Sequence, residues 1–170
     1  MKKYFTTKTL VGSALLVALN IVITRLLSIN LDPVRIGFGF LPIAFGSMLY
    51  GTVVGTVISV VADFLGALLQ GNGVWPGFIL SAALYGVTYG AFLYRREKSF
   101  KNILLCALLQ AVFIDTLLGA FWFTVYTSMP FFVAITGRAI NAAITIPFKV
   151  FMIKYLWRYV GERIEKQKLL

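Results

Sequence analysis

The chain has 170 residues, 59% of them hydrophobic and only 13% charged, and its mean hydropathy is +0.87. A soluble domain of this size is nearer half apolar and a quarter charged, so long apolar runs between short polar breaks read as membrane spans. The net charge of +10 lies on residues that flank those runs, the pattern of loops beside anionic headgroups, and this speaks against a nucleic-acid partner.

In chain order, Lys2, Lys3 and Lys8 precede an apolar run at 9–27. It is too long for the core of a cleaved signal segment and is expected to remain as the first span. Further spans are expected at 38–49, 52–69, 76–94, 103–123 and 131–157. The last exceeds what a bilayer needs, so it should tilt or continue past the interface. Charge decides whether 38–69 is one helix or two. The basic N-terminus and the cluster Arg95, Arg96, Lys98 and Lys101 should share the cytoplasmic side, which requires an even number of spans between them. A break near Tyr50-Gly51 supplies it. The expected fold is therefore all-α: one domain over 1–170, six transmembrane helices, both termini cytoplasmic. The basic residues from Lys149 to Lys168 are read as a third cytoplasmic cluster, and the turn-rich segments 28–37, 70–75 and 124–130 as outward loops.

Three ionisable residues fall inside the apolar runs: Asp63, Asp115 and Arg138. At about 1.5 Å per residue, Asp63 and Arg138 lie about 10 Å below the outer ends of their spans, and Asp115 about 12 Å. Such groups are costly against lipid and normally face a bundle interior or a cavity. Asn141 lies one turn below Arg138, and Trp75, Tyr85 and Trp122 fall in the same zone. With Arg35, Gln70 and Asn72 from the outward loops, these residues form a candidate substrate site, a polar, aromatic-lined pocket open to the outside. The competing reading is an internal Asp–Arg pair that only fixes helix packing. Small residues four apart, Ala14 and Ala18, Gly51 and Gly55, Gly86 and Gly90, Ala139 and Ala143, allow close helix approach. The first pair lies away from the expected pocket.

Absences narrow the class. With no His and Cys106 as the single Cys, neither an intrachain disulfide nor a Cys/His zinc site is possible, and no metal site is expected. Cys106 itself reads as apolar filler. There is no phosphate-binding G-x-x-x-x-G-K-[ST] run, no G-x-S-x-G elbow and no H-E-x-x-H pair, and hence no candidate catalytic residue. Six short spans without an inverted repeat also make a poor stand-alone secondary transporter.

The stretch Arg35-Ile36-Gly37-Phe38-Gly39-Phe40-Leu41-Pro42-Ile43, continuing through Gly46, Gly51, Gly55 and Asp63 to Pro76-Gly77-Phe78, resembles the substrate-binding S components of energy-coupling factor (ECF) vitamin transporters. The resemblance covers nearly the whole chain and is to the folate-specific type, with much of the pattern shared by the pantothenate type. Thr52 departs from it, standing where relatives often carry Pro. The resemblance implies a non-enzymatic bundle in the bacterial cytoplasmic membrane that captures a vitamin at its outer face and topples to carry it inward. It also implies partners: a transmembrane coupling protein, contacted through Ala14 and Ala18, and two ATPase subunits that use ATP, this chain binding no cofactor itself. Folate suits the residues. A carboxylate such as Asp63 can accept from adjacent pterin donors, Trp75, Trp122 or Phe121 can stack on the ring, and Arg35 or Arg138 can take the glutamate carboxylates. Pantothenate, with one carboxylate and no ring, would leave the aromatics unused. A structural membrane protein without a ligand is the alternative from another class.

Overall fold

In the computed structural model, residues 6–26, 29–31, 34–71, 74–127 and 130–164 are described. Six helices account for nearly all of them: α1 (Thr7–Leu26), α2 (Phe40–Tyr50), α3 (Thr52–Gln70), α4 (Pro76–Leu93), α5 (Phe100–Thr127) and α6 (Phe131–Ile164). Between α1 and α2, where the sequence suggested only a loop, an antiparallel hairpin pairs β1 (Ile29–Leu31) with β2 (Val34–Ile36), Asn30 facing Arg35. Helix α5 carries a π-helical segment at Gln110–Leu118 and α6 another at Trp157–Gly161.

Among the described residues, five helices are long and apolar enough to cross a membrane, and α2, with 11 residues, is not. The expected break falls at Gly51, whose φ of +92° suits a residue without a side chain. A Cβ there would also meet the Tyr94 ring at 3.2 Å. Since α2 and α3 meet at this turn, their lengths can be compared directly. Helix α2 rises about 16 Å and α3 about 28 Å, so α2 stops about 12 Å short of the far end of α3. The space above the start of α2 is where the hairpin sits and where the bundle stays open.

The closest packing is between α3 and α4. Gly86 and Gly90 permit it, since a Cβ on Gly86 would lie 2.6 Å from the Thr56 backbone nitrogen, and one on Gly90 2.6 Å from Thr52 Oγ1. Two of the small-residue pairs thus serve internal packing, whereas Ala14, Ala18, Ala139 and Ala143 are exposed. A dry core fills the end of the bundle away from the hairpin, with Tyr89, Leu93, Ile103, Cys106, Val150, Ile153 and Trp157 all buried. That end also gathers Lys8, Arg95, Arg96, Lys98, Lys101, Lys154, Arg158 and Arg163. Several of these cations lie over aromatic rings: Lys98 over Trp157 at 4.1 Å, Arg95 over Tyr94 at 5.3 Å and Lys154 over Phe100 at 5.5 Å. The outward faces of the helices are studded with exposed Leu, Val, Ile and Phe, as a lipid-facing surface requires.

Candidate functional site

A cavity of about 850 Å³ occupies the open space above α2. Its wall is built from every helix. Helix α1 supplies Asn20, Thr24 and Arg25, and the entry to α2 supplies Gly37, Gly39 and Phe40. Asp63 comes from α3, Trp75, Phe78 and Tyr85 from α4 and its approach, and Asp115, Phe123 and Tyr126 from α5. Arg138, Asn141, Thr145, Phe148 and Lys149 repeat along one face of α6. The spacing on α6 is that of successive turns, so a single helical stripe lines the full depth of the cavity.

The mouth is aromatic. Trp75 lies against Tyr126 with ring centroids 5.6 Å apart, and Phe78 lies edge-on to the same ring at 6.2 Å. The Trp75 indole nitrogen is buried and has no hydrogen-bond partner among the described residues. Deeper in, charged groups converge on Asp115. The Tyr85 hydroxyl donates to its Oδ1, and the Lys149 ammonium donates to its Oδ2 at 3.0 Å. Arg138 Nη1 donates to its backbone carbonyl at 3.3 Å, and the guanidinium also lies 5.3 Å from the centre of the Phe123 ring. The π-helical segment of α5 carries Asp115; such segments widen a helix locally and recur at functional sites.

Three cavity-lining groups lack an ionic or side-chain hydrogen-bond partner among the described residues. Asp63 has no hydrogen-bond or ionic partner among the described residues. Arg138 has no carboxylate within ion-pair distance among them. The Asn141 side-chain oxygen is buried and unpaired among the described residues. Among the described residues no internal Asp–Arg ion pair forms, because the Asp115 carboxylate goes to Lys149 and Tyr85.

Of the residues singled out in the sequence, Asp63, Trp75, Tyr85, Arg138 and Asn141 line the cavity. Trp122 stands outside the wall, its ring packed so closely on Gly77 that a Cβ there would lie 2.5 Å from it. Phe121 is exposed and packs edge-on against Trp122. The backbone of Arg35 lies in β2 at the mouth and Gln70 ends α3; their side chains, and Asn72 as a whole, fall outside the described residues. Lys149 is the main correction: counted in the sequence with the cytoplasmic flank, it lines the cavity instead, its side chain only 12% exposed. Arg25 and Asn20 were also missed. The Asn20 amide donates to the Gly39 carbonyl and ties α1 to the chain entering α2. A polar residue on an otherwise apolar helix was the available signal.

A bundle of this kind, with apolar outer faces and an open, aromatic-walled cavity that holds charged and polar groups at one end, is a membrane-embedded, multi-pass small-molecule binder. More narrowly, the chain belongs to the ECF transporter substrate-specific components, whose family model matches residues 8–160. It is similar to a curated protein named Folate transporter FolT from Clostridium novyi (strain NT), at 32% identity over 166 residues, 97% of this chain and 94% of that one. It is also similar to a solved structure described as FolT bound with folic acid. That likeness has 29% sequence identity and a TM-score of 0.81, covering 89% of this chain and 93% of the other.

Proposed function

We propose that this chain captures folate in the cavity and delivers it across the bacterial cytoplasmic membrane as the substrate-binding subunit of an ECF transporter. One observation carries the choice of ligand: the cavity presents a carboxylate, Asp63, and a guanidinium, Arg138, neither of which has an ionic partner in the protein among the described residues. Uncompensated charges inside a membrane protein are costly and mark ligand paths. A ligand that completes both must offer adjacent N–H donors and a carboxylate. Folate has both, and its flat rings match the aromatic walls. Pantothenate would satisfy Arg138 and leave Asp63 bare. The likeness to proteins named for folate supports the same choice.

In this reading both termini are cytoplasmic and the mouth faces outward, because the basic residues collect at the end opposite the hairpin. The chain performs no chemistry and holds no cofactor; a coupling protein docked on the exposed Ala14 and Ala18 face of α1 and two ATPase subunits supply the energy. Tryptophan fluorescence tests the ligand, since Trp75 lies in the wall. Folate should quench the purified protein saturably, whereas pantothenate, thiamine and riboflavin should not. Quenching by pantothenate with no response to folate would reassign the substrate.

A further inference from the structure

At the end of the bundle opposite the hairpin, the turn between α4 and α5 forms an open cleft of about 670 Å³, lined by Arg95, Arg96, Glu97, Lys98, Trp157 and Glu162. Arg95 has a φ of +54°, in the left-handed region that residues with side chains enter at a cost. This turn brings the consecutive Arg95 and Arg96 to one cleft. Neither has a carboxylate within ion-pair distance among the described residues. The Lys98 ammonium stands over the Trp157 ring, 4.1 Å from its centre, and the buried Trp157 forms the floor. Directly beyond Lys98, α5 begins behind Ser99, whose hydroxyl makes no capping bond, and no acidic residue stands in its first turn. The positive end of that helix dipole is thus left open. Glu97 and Glu162 share the cleft, but among the described residues the eight cations gathered at this end outnumber these two carboxylates.

Depth decides what such a cleft meets. Helix α5 runs for 28 residues, about 42 Å, whereas the hydrocarbon core of a bilayer is about 30 Å thick. Its first turn therefore stands at headgroup level, where tryptophan and basic residues collect. Beyond Lys101, the exposed Leu105, Leu108 and Val112 follow at helical spacing and continue as a lipid-facing stripe. We propose that the α4–α5 cleft is a binding site for the phosphate headgroup of one anionic phospholipid. Arg95 and Arg96 take the phosphate oxygens through their planar forks, and Lys98 and the open start of α5 add positive charge beside them. The acyl chains run along the Leu105, Leu108 and Val112 stripe into the bilayer. A free phosphate would gain the same cations but no apolar contact. A zwitterionic lipid would bring its own cation against the arginines.

The test titrates purified, monodisperse protein in detergent with phosphatidylglycerol or phosphatidylcholine of identical chains, and counts the lipid held per chain by native mass spectrometry. One phosphatidylglycerol should be retained, at least tenfold more tightly than phosphatidylcholine. Arg95→Gln with Arg96→Gln should weaken it tenfold or more. Arg95→Lys with Arg96→Lys keeps the charge without the fork and should show a smaller loss; should the Gln pair not fold, this pair reads the same site. Arg158→Gln with Arg163→Gln removes equal charge from the same end outside the cleft and should leave affinity within about twofold. Equal retention of the two lipids, equal losses in the two Gln pairs, or unchanged affinity in the folded Arg95 and Arg96 variants would overturn the site. Displacement of the lipid by equimolar inorganic phosphate or glycerol phosphate would make it a free-phosphate site and overturn the lipid assignment.

Discussion

Helices α1 and α6 are both apolar spans on the outside of the bundle, yet they are built on opposite plans. Within α1 only Ser13 and Asn20 are buried, and Leu10, Val11, Leu15, Leu19, Val22 and Leu26 are exposed. Among the described elements the helix packs on α2 and α3, and the Asn20 amide ties it to Gly39. Helix α6 carries Arg138 and Lys149 inside the bundle, on the face that lines the cavity. One helix keeps Ala14 and Ala18 outward; the other turns two cations inward, Lys149 paired with Asp115 and Arg138 with no carboxylate partner among the described residues. In the proposed function, binding and coupling fall on separate surfaces, and the predictions for α1 and for the cavity residues each strike one and spare the other.

The largest effect is expected on α1. Replacing Ala14 and Ala18 together with Leu adds bulk to the exposed face and should hold off a closely packed partner helix. ATP-driven folate uptake by the assembled transporter should fall to background, while folate affinity of the isolated protein stays within about twofold, since neither alanine lines the cavity. On α6, Arg138→Gln removes a partly buried cavity guanidinium. A hydrogen bond to a charged group contributes about 1.5–3 kcal/mol, so affinity should drop by about tenfold to a hundredfold, read by titration calorimetry. Asp63→Asn keeps the shape but sets an amide where an acceptor is needed, and the same assay should record a loss of about tenfold. The smallest effect on binding is expected at the α3–α4 contact. Gly86→Val forces these helices apart and should lower stability by about 1–3 kcal/mol in thermal denaturation, with affinity little changed while the protein remains folded.

The spans were legible because a bilayer imposes its thickness on hydropathy, and the Gly51 break followed from charge parity. What the sequence did not supply was side-chain direction. Lys149 sits where a lysine normally meets headgroups, and only the fold reveals that its stem turns towards Asp115. The π-helical turn at Gln110–Leu118 disturbs the period from which facing residues are read. It is one reason the pairing of the Asp115 carboxylate with Lys149 was not legible. Trp122 was grouped with the pocket on depth alone, and depth does not give the side of a helix. The hairpin had a faint signal in the apolar residues at Ile29, Leu31, Val34 and Ile36 around Asp32-Pro33.

The central claim is that one folate occupies this cavity. Equilibrium dialysis of the purified protein against radiolabelled folate, with excess pantothenate, thiamine, riboflavin or unlabelled folate as competitor, measures it directly. The account predicts saturable binding of one folate per chain, displaced by unlabelled folate alone and weakened in the Asp63→Asn and Arg138→Gln variants. Saturable binding displaced by pantothenate, or left intact when both residues are changed in a folded protein, would contradict it.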